Sequence, residues 1–166
     1  IVLMYPPGFS NIQFEWDIPE FRATYENVAE WATVIRFDQR NHGLSERGLA
    51  GVSLDSYEHD LMGVLDRLEI QRAHLFAAND AGKVALVFAV KHPDRVASLS
   101  LFRTNAGPAT SAPSPGWTSL VPLIRHDWHL FTNLMATALN GLDDGEQTSR
   151  IAQFIRESVT AAEFES

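Results

Sequence analysis

The chain has 166 residues, 45% of them hydrophobic and 20% charged, which suits one globular domain with a core of its own. A net charge of -8, with the 13 basic residues scattered, argues against a nucleic-acid partner, because phosphate contacts need clustered Lys and Arg. No apolar run approaches the ~20 residues of a membrane span, no charged-then-apolar leader opens the chain, and the absence of cysteine removes disulfides and thiol chemistry and fits a cytoplasmic location.

In chain order, strands and helices alternate. Ile1 to Tyr5 is a continuous apolar run stopped by Pro6-Pro7-Gly8, the pattern of a buried parallel strand. A short helix is expected through Asn27 to Trp31 and a second strand over Thr33 to Asp38, after which Asn41-His42-Gly43 turns the chain. Ser53 caps a helix whose apolar positions Tyr57, Leu61, Val64, Leu65 and Leu68 share one face. His74 to Ala78 is the third strand, Ala81 to His92 an apolar helix closed by Pro93, and Ala97 to Phe102 the fourth strand. Strands separated by helices imply parallel pairing and right-handed crossovers. The expected fold is therefore α/β, a mostly parallel open sheet with helices on both faces.

From Asn105 the composition changes. Gly107 to Gly116 is a Pro- and Ser-rich loop, and helices are expected over Ser119 to Leu139 and Glu146 to Val159. Residues 1–107 are read as the core and 108–166 as a helical cap of the same domain, its aromatics (Trp117, Trp128, Phe131, Phe154) lying over the strand ends as a lid. Thr160-Ala161-Ala162-Glu163 has the form of a capping box opening a helix close to the last residue, and the chain is read as truncated.

The most informative stretch is Ala77-Ala78-Asn79-Asp80-Ala81-Gly82. A buried strand and an apolar helix are separated by almost no residues, and small side chains on both sides let them approach closely. The apex residue of such a turn is strained and stands at a helix N-terminus. Hydrolytic enzymes built this way place Ser, Cys or Asp there. This chain places Asn79, whose neutral carboxamide is a poor nucleophile.

Together, Ile1 to Gly8, the Val34 to Ser45 segment with Asp38-Gln39-Arg40-Asn41-His42-Gly43-Leu44-Ser45, the Ser53 to Leu68 helix, the Asn79 turn and Lys91 to Val96 resemble the α/β-hydrolase fold. The Asp38 to Ser45 segment is similar to the D-x-R-G/N-x-G-x-S turn of those enzymes. Phe9 to Trp16, Arg36-Phe37-Asp38 and Ser158-Val159-Thr160 also resemble hydrolase-like domains of bacterial regulatory proteins, which stand beside cyclase or DNA-binding output domains. The resemblance implies a nucleophile position at Asn79 and oxyanion-hole donors at the backbone N–H groups of Asp80 and Phe9, the latter following Pro7-Gly8. It puts the catalytic acid and the final His on later strands, which are not among the strands expected here. Pro7, Gly8, Trp16 and Trp128 are the expected pocket-lining residues.

Two alternatives stay open at the turn. Shifting the pattern by one makes Asp80 the nucleophile, as in dehalogenases and epoxide hydrolases of this fold; otherwise Asp80 is a first-turn acid favoured by the helix dipole. His126 and His129, one helical turn apart, are either solvated or placed to act as a base or to hold a metal. His42 is expected to bond backbone near Asn41, His59 to be wet, and His74 and His92 to sit at element ends. Ser45 and Ser53 read as helix caps, Ser10 as a solvated loop residue, Asp38 and Arg40 as braces of the turn, Lys83 as snorkelling to solvent, and the aromatics, Trp16 among them, as core. Neither a cofactor nor a metal is implied. The expected function is a catalytically degenerate module that binds a small molecule or regulates, with hydrolysis of small esters, amides, epoxides or halides as the alternative.

Overall fold

A computed structural model describes residues 1–5, 9–104, 115–140 and 145–165. The chain divides into two compact units, Ile1–Ala106 and Gly107–Ser166. Pro7, Gly8 and most of the Pro- and Ser-rich loop lie outside the described residues.

The first unit carries β1 (Val2–Tyr5), α1 (Ile12–Asp17), α2 (Pro19–Ala29), β2 (Val34–Ile35), α3 (Leu54–Arg67), β3 (Ala73–Ala78), α4 (Ala81–Lys91) and β4 (Val96–Phe102). The four strands form one sheet in the order β2-β1-β3-β4, and every pairing is parallel. The parallel pairing follows from the sequence, since each strand is separated from the next by helix.

The core lies where α3 and α4 cover β3. Ala73, Leu75 and Ala77 point into it, meeting Leu61 and Leu65 of α3 and Val84, Ala85 and Phe88 of α4. The apolar run of β3 is buried on that face alone; His74, on the other, is exposed and its Nδ1 stands 2.8 Å from the Ser98 hydroxyl. Ser53 caps α3 as expected, in a reciprocal capping box with Ser56.

Three expectations for this unit are corrected. Asn11 caps an unexpected helix, α1, its carboxamide oxygen accepting the Phe14 N–H. The next helix starts at Pro19, a favoured first position, and ends at Ala29, which leaves Trp31 outside it and 73% exposed. The second strand pairs only at Val34 and Ile35, and the residues that follow are bonded instead to Ser10 and Ile12 through Arg36, Asp38 and Gln39.

The second unit is helical: α5 (Pro115–His126), α6 (Trp128–Asn140), α7 (Gly145–Ser158) and α8 (Ala161–Phe164). The single helix expected over Ser119 to Leu139 is broken at Asp127, whose carboxylate accepts the Leu130 N–H and so starts a new helix. Phe131 is fully buried, stacked on Trp128 at 5.4 Å, edge-on to Trp117 at 6.1 Å and tilted against Phe164 at 5.4 Å. Ile151, Phe154, Ile155 and Val159 are buried along and just beyond α7. The Thr160 capping box is formed, Thr160 and Glu163 each satisfying the other's backbone N–H.

Candidate functional site

The turn between β3 and α4 contains only Asn79 and Asp80. Asn79 has φ +53°, the left-handed region, and Asp80 is already helical at φ -67°, ψ -27°. Asn is one of the few residues with a side chain that tolerates this region, at a cost other side chains bear more heavily.

The backbone of Asn79 is fully engaged. Its N–H donates to the Phe102 carbonyl of β4 at 3.0 Å, extending the sheet by one residue, and its carbonyl accepts from the Gly82 N–H and the Thr104 hydroxyl, both at 3.2 Å. Gly82 is required for this closeness: a β-carbon there would overlap the Thr104 side chain. Thr104 was not among the expected residues. Its partner lies 25 positions away, and a lone Thr after a strand carries no sequence signal of that kind.

Asn79, at the apex, is half-buried and stands directly before the start of α4. The Asp80 side chain is 81% exposed and pairs with Lys83 at 2.8 Å. Lys83 thus ends on the carboxylate of the residue before the helix, so Asp80 stands at the N-cap and not in the first turn as expected. The arrangement offers hydrogen-bond donors at a helix N-terminus, suited to an electron-rich oxygen.

The segment that follows β1 is fastened to the end of β2 by polar contacts. Asp38, buried, accepts the Ile12 N–H with one carboxylate oxygen and the Leu44 N–H with the other, each at 2.9 Å. Gly43, at φ +48°, leaves the space that the Asp38 carboxylate fills. Ser10 is fully buried and accepts the Gln39 N–H through its hydroxyl, so the expectation of a solvated loop residue is overturned by a non-local partner. Ser45 is not a helix cap; its hydroxyl donates to the Asp38 carbonyl at 2.7 Å and closes the turn. Arg40 grips Asp60 with two nitrogens, both at 2.6 Å, and Asn41, at φ +62°, holds Leu49 through its carboxamide. His42 is buried with Nδ1 3.0 Å from the Arg40 carbonyl. Phe9, half-buried, begins this fastened segment.

Trp16 is not core: it is 43% exposed and lines a cavity between α1, α2 and β2 whose lining includes neither Asn79 nor Asp80. Trp128 belongs to the aromatic cluster of the second unit. His126 ends α5 and His129 lies in α6, both exposed, so the break at Asp127 removes their shared helix face. Among the described residues no three His, Asp or Glu side chains gather as a metal-holding group.

A second polar centre joins α3 and α4. Glu58 is buried, 3% exposed, and its carboxylate meets His92 Nε2 at 2.6 Å and Lys91 Nζ at 3.2 Å. Burial pushes the Glu58 carboxyl up, but the hydrogen bonds from His92 and Lys91 outweigh it and hold the group below its usual range. His59 is wet, as expected, with its side chain 77% exposed.

A family model for the alpha/beta hydrolase fold matches residues 2–161. The chain belongs to that family. An esterase from Exiguobacterium antarcticum superposes with a TM-score of 0.76 at 15% identity, over 99% of this chain and 63% of the esterase, a likeness of fold. The 2-hydroxymuconate semialdehyde hydrolase of Pseudomonas sp. strain CF600 is 37% identical over 82 residues, 49% of this chain and 29% of the hydrolase. The dihydrolipoyllysine-residue acetyltransferase component of the acetoin cleaving system of Pseudomonas putida is 35% identical over 88 residues, 53% of this chain and 24% of that protein. The chain thus matches only about a quarter to a third of these curated relatives' length. No described helix is long and apolar enough to cross a membrane.

Proposed function

We propose that this α/β-hydrolase chain binds a small carbonyl-bearing molecule at the Asn79 turn without hydrolysing it. The observation that carries the reading is Asn79 itself, at the apex between β3 and α4 with φ +53°. A serine, cysteine or aspartate there would be positioned for attack; a carboxamide has no nucleophilic atom of comparable strength. It can still donate and accept hydrogen bonds, and the Asp80 backbone N–H that follows it takes the oxyanion-hole position that the fold implies. A ligand carbonyl is held where a hydrolase would stabilise an oxyanion, and no covalent bond forms. The role is that of a cytoplasmic sensing or scaffolding module beside a regulatory output domain.

A nucleophilic Asp80 is the competing reading, supported by the hydrolase activities named for the relatives. Against it stand the helical backbone of Asp80 and its exposed carboxylate, turned to Lys83. Backbone and side-chain amide NMR during titration with phenyl acetate separates the two. Binding moves the Asp80 amide and Asn79 carboxamide resonances while the ester stays intact; release of phenol at a rate abolished by Asp80→Ala makes Asp80 the nucleophile.

A further inference from the structure

Among the described residues with side chains, Asn41, Glu69, Asn79 and Arg103 have φ in the left-handed region. Asparagine tolerates it. Glu69 ends α3 in a common way, its N–H donating to the Asp66 carbonyl and the next N–H, of Ile70, to the Leu65 carbonyl at 2.8 Å. Arg103, at φ +52°, is neither an asparagine nor a helix end. Backbone held in this region persists where its surroundings enforce it, and such positions gather at functional sites. Arg103 stands level with Asn79, one residue beyond the Ala78–Phe102 pairing of β3 and β4. The left-handed step there turns the chain so that Thr104 lies against the apex. The Thr104 side chain leaves no room for a β-carbon at Gly82, and its hydroxyl donates to the Asn79 carbonyl at 3.2 Å. The Gly82 N–H reaches the same carbonyl at 3.2 Å.

A peptide unit is planar and trans, so its carbonyl and its N–H point in opposite directions. The Asn79 carbonyl and the Asp80 N–H belong to one such unit. Holding the carbonyl between Gly82 and Thr104 therefore aims the Asp80 N–H away from both. A carbonyl that accepts hydrogen bonds also polarises its amide and strengthens the donor on the far side. Asp80 is the N-cap of α4, so its N–H has no partner within the helix. We infer that Thr104 is a positioning residue for the ligand site. Its hydroxyl fixes the Asn79–Asp80 peptide plane with the Asp80 N–H facing the ligand carbonyl, and the strained backbone of Arg103 is what holds Thr104 in place. This rests on the reading of the Asn79 turn as a carbonyl-binding site. Without the hydroxyl the plane rocks about its bond from Gly82, and the donor is aligned for only part of the time.

The test compares the full chain with Thr104→Val, which keeps the branched shape without the hydroxyl, Thr104→Ala, which removes it without crowding, and Thr104→Ser, which restores it. The backbone amide of Asp80 is followed by NMR, first in the free proteins and then during titration with phenyl acetate. In the free proteins its resonance is expected to move in Thr104→Val and Thr104→Ala and to return toward the parent position in Thr104→Ser. Affinity is expected to fall about tenfold in Val and Ala, the equivalent of about 1.4 kcal/mol, and to recover in Ser. Thermal unfolding shows which variants are folded; if Thr104→Val is not, Thr104→Ala decides. A merely structural Thr104 would lower the melting midpoint and leave the Asp80 amide and the affinity of the folded protein unchanged, and that result overturns the inference while the parent still binds. Loss in Thr104→Ser equal to that in Val and Ala overturns it too, since the methyl group and not the hydroxyl would then matter. A parent that shows no saturable shift overturns the binding reading itself and the inference with it.

Discussion

Gly82 and Thr104 are packed so closely that α4 reaches the end of β4 with no space for a methyl group between them. The same Thr104 hydroxyl donates to the Asn79 carbonyl, so one residue sets both the approach of the helix and the backbone of the apex. Gly82→Ala is expected to cost about 1–3 kcal/mol, the range for overpacking a well-filled site. Thr104→Gly opens the space, so the double variant should lose less stability than the two single losses summed. Chemical denaturation of the four proteins measures that coupling.

The apex conformation makes its own prediction. A side chain in the left-handed region costs roughly 1–2 kcal/mol, less for Asn, and nothing for Gly. Asn79→Ala should therefore destabilise by about 1 kcal/mol while Asn79→Gly is neutral or stabilising, as read from denaturation midpoints. Equal losses in both would mean that the carboxamide, not the backbone, supplies the stability.

Much of this arrangement was legible in the chain. Residues 74–78 and 81–92 announce a strand and a helix by their apolar runs, each within one residue of its observed bounds, and the small residues around Asn79 announce the tight turn. Ser53 and Thr160 announce helix starts through local capping patterns. The missed features depend on partners far along the chain. Ser10 is buried because Gln39, 29 residues on, donates to it, and Arg36 is placed by Glu15, 21 residues before it. The break at Asp127 had a local signal, an acid three residues before Leu130, but the apolar pattern continuing through it was stronger. Pro19 likewise marked the start of α2, while the aromatic and charged residues of α1 gave no clear period.

Acid should loosen the α3–α4 clamp. The Glu58 carboxyl is held below its ordinary value of 4.5, so the unfolded chain binds its proton more readily than the folded one. The stability this group adds is complete above the ordinary value and is lost as pH falls through the lowered one. Asp55, lowered by its hydrogen bond from Lys91, acts in the same direction. The thermal midpoint should drop as the pH falls below the ordinary carboxylate range. Glu58→Gln should be less stable at neutral pH and lose less on acidification, which melting curves across that range would show.

The Glu15–Arg36 pair is largely buried, with side chains 6% and 15% exposed. Removing one partner strands the other charge, at about 3–5 kcal/mol. Glu15→Leu and Arg36→Met are each expected to be strongly destabilising, and the double variant to recover much of the loss. A double variant as unstable as the sum of the singles would show that the two charges act independently.

The central claim, that Asn79 leaves the turn able to bind but not to hydrolyse, is tested most directly by turnover of a short activated ester. The monomer fraction of the parent chain, Asn79→Ala and Asp80→Ala should be compared after each is shown to unfold cooperatively. The expected result is the same near-background rate in all three. Clear turnover by the parent that disappears in Asp80→Ala alone would contradict the claim and make Asp80 a displaced carboxylate nucleophile.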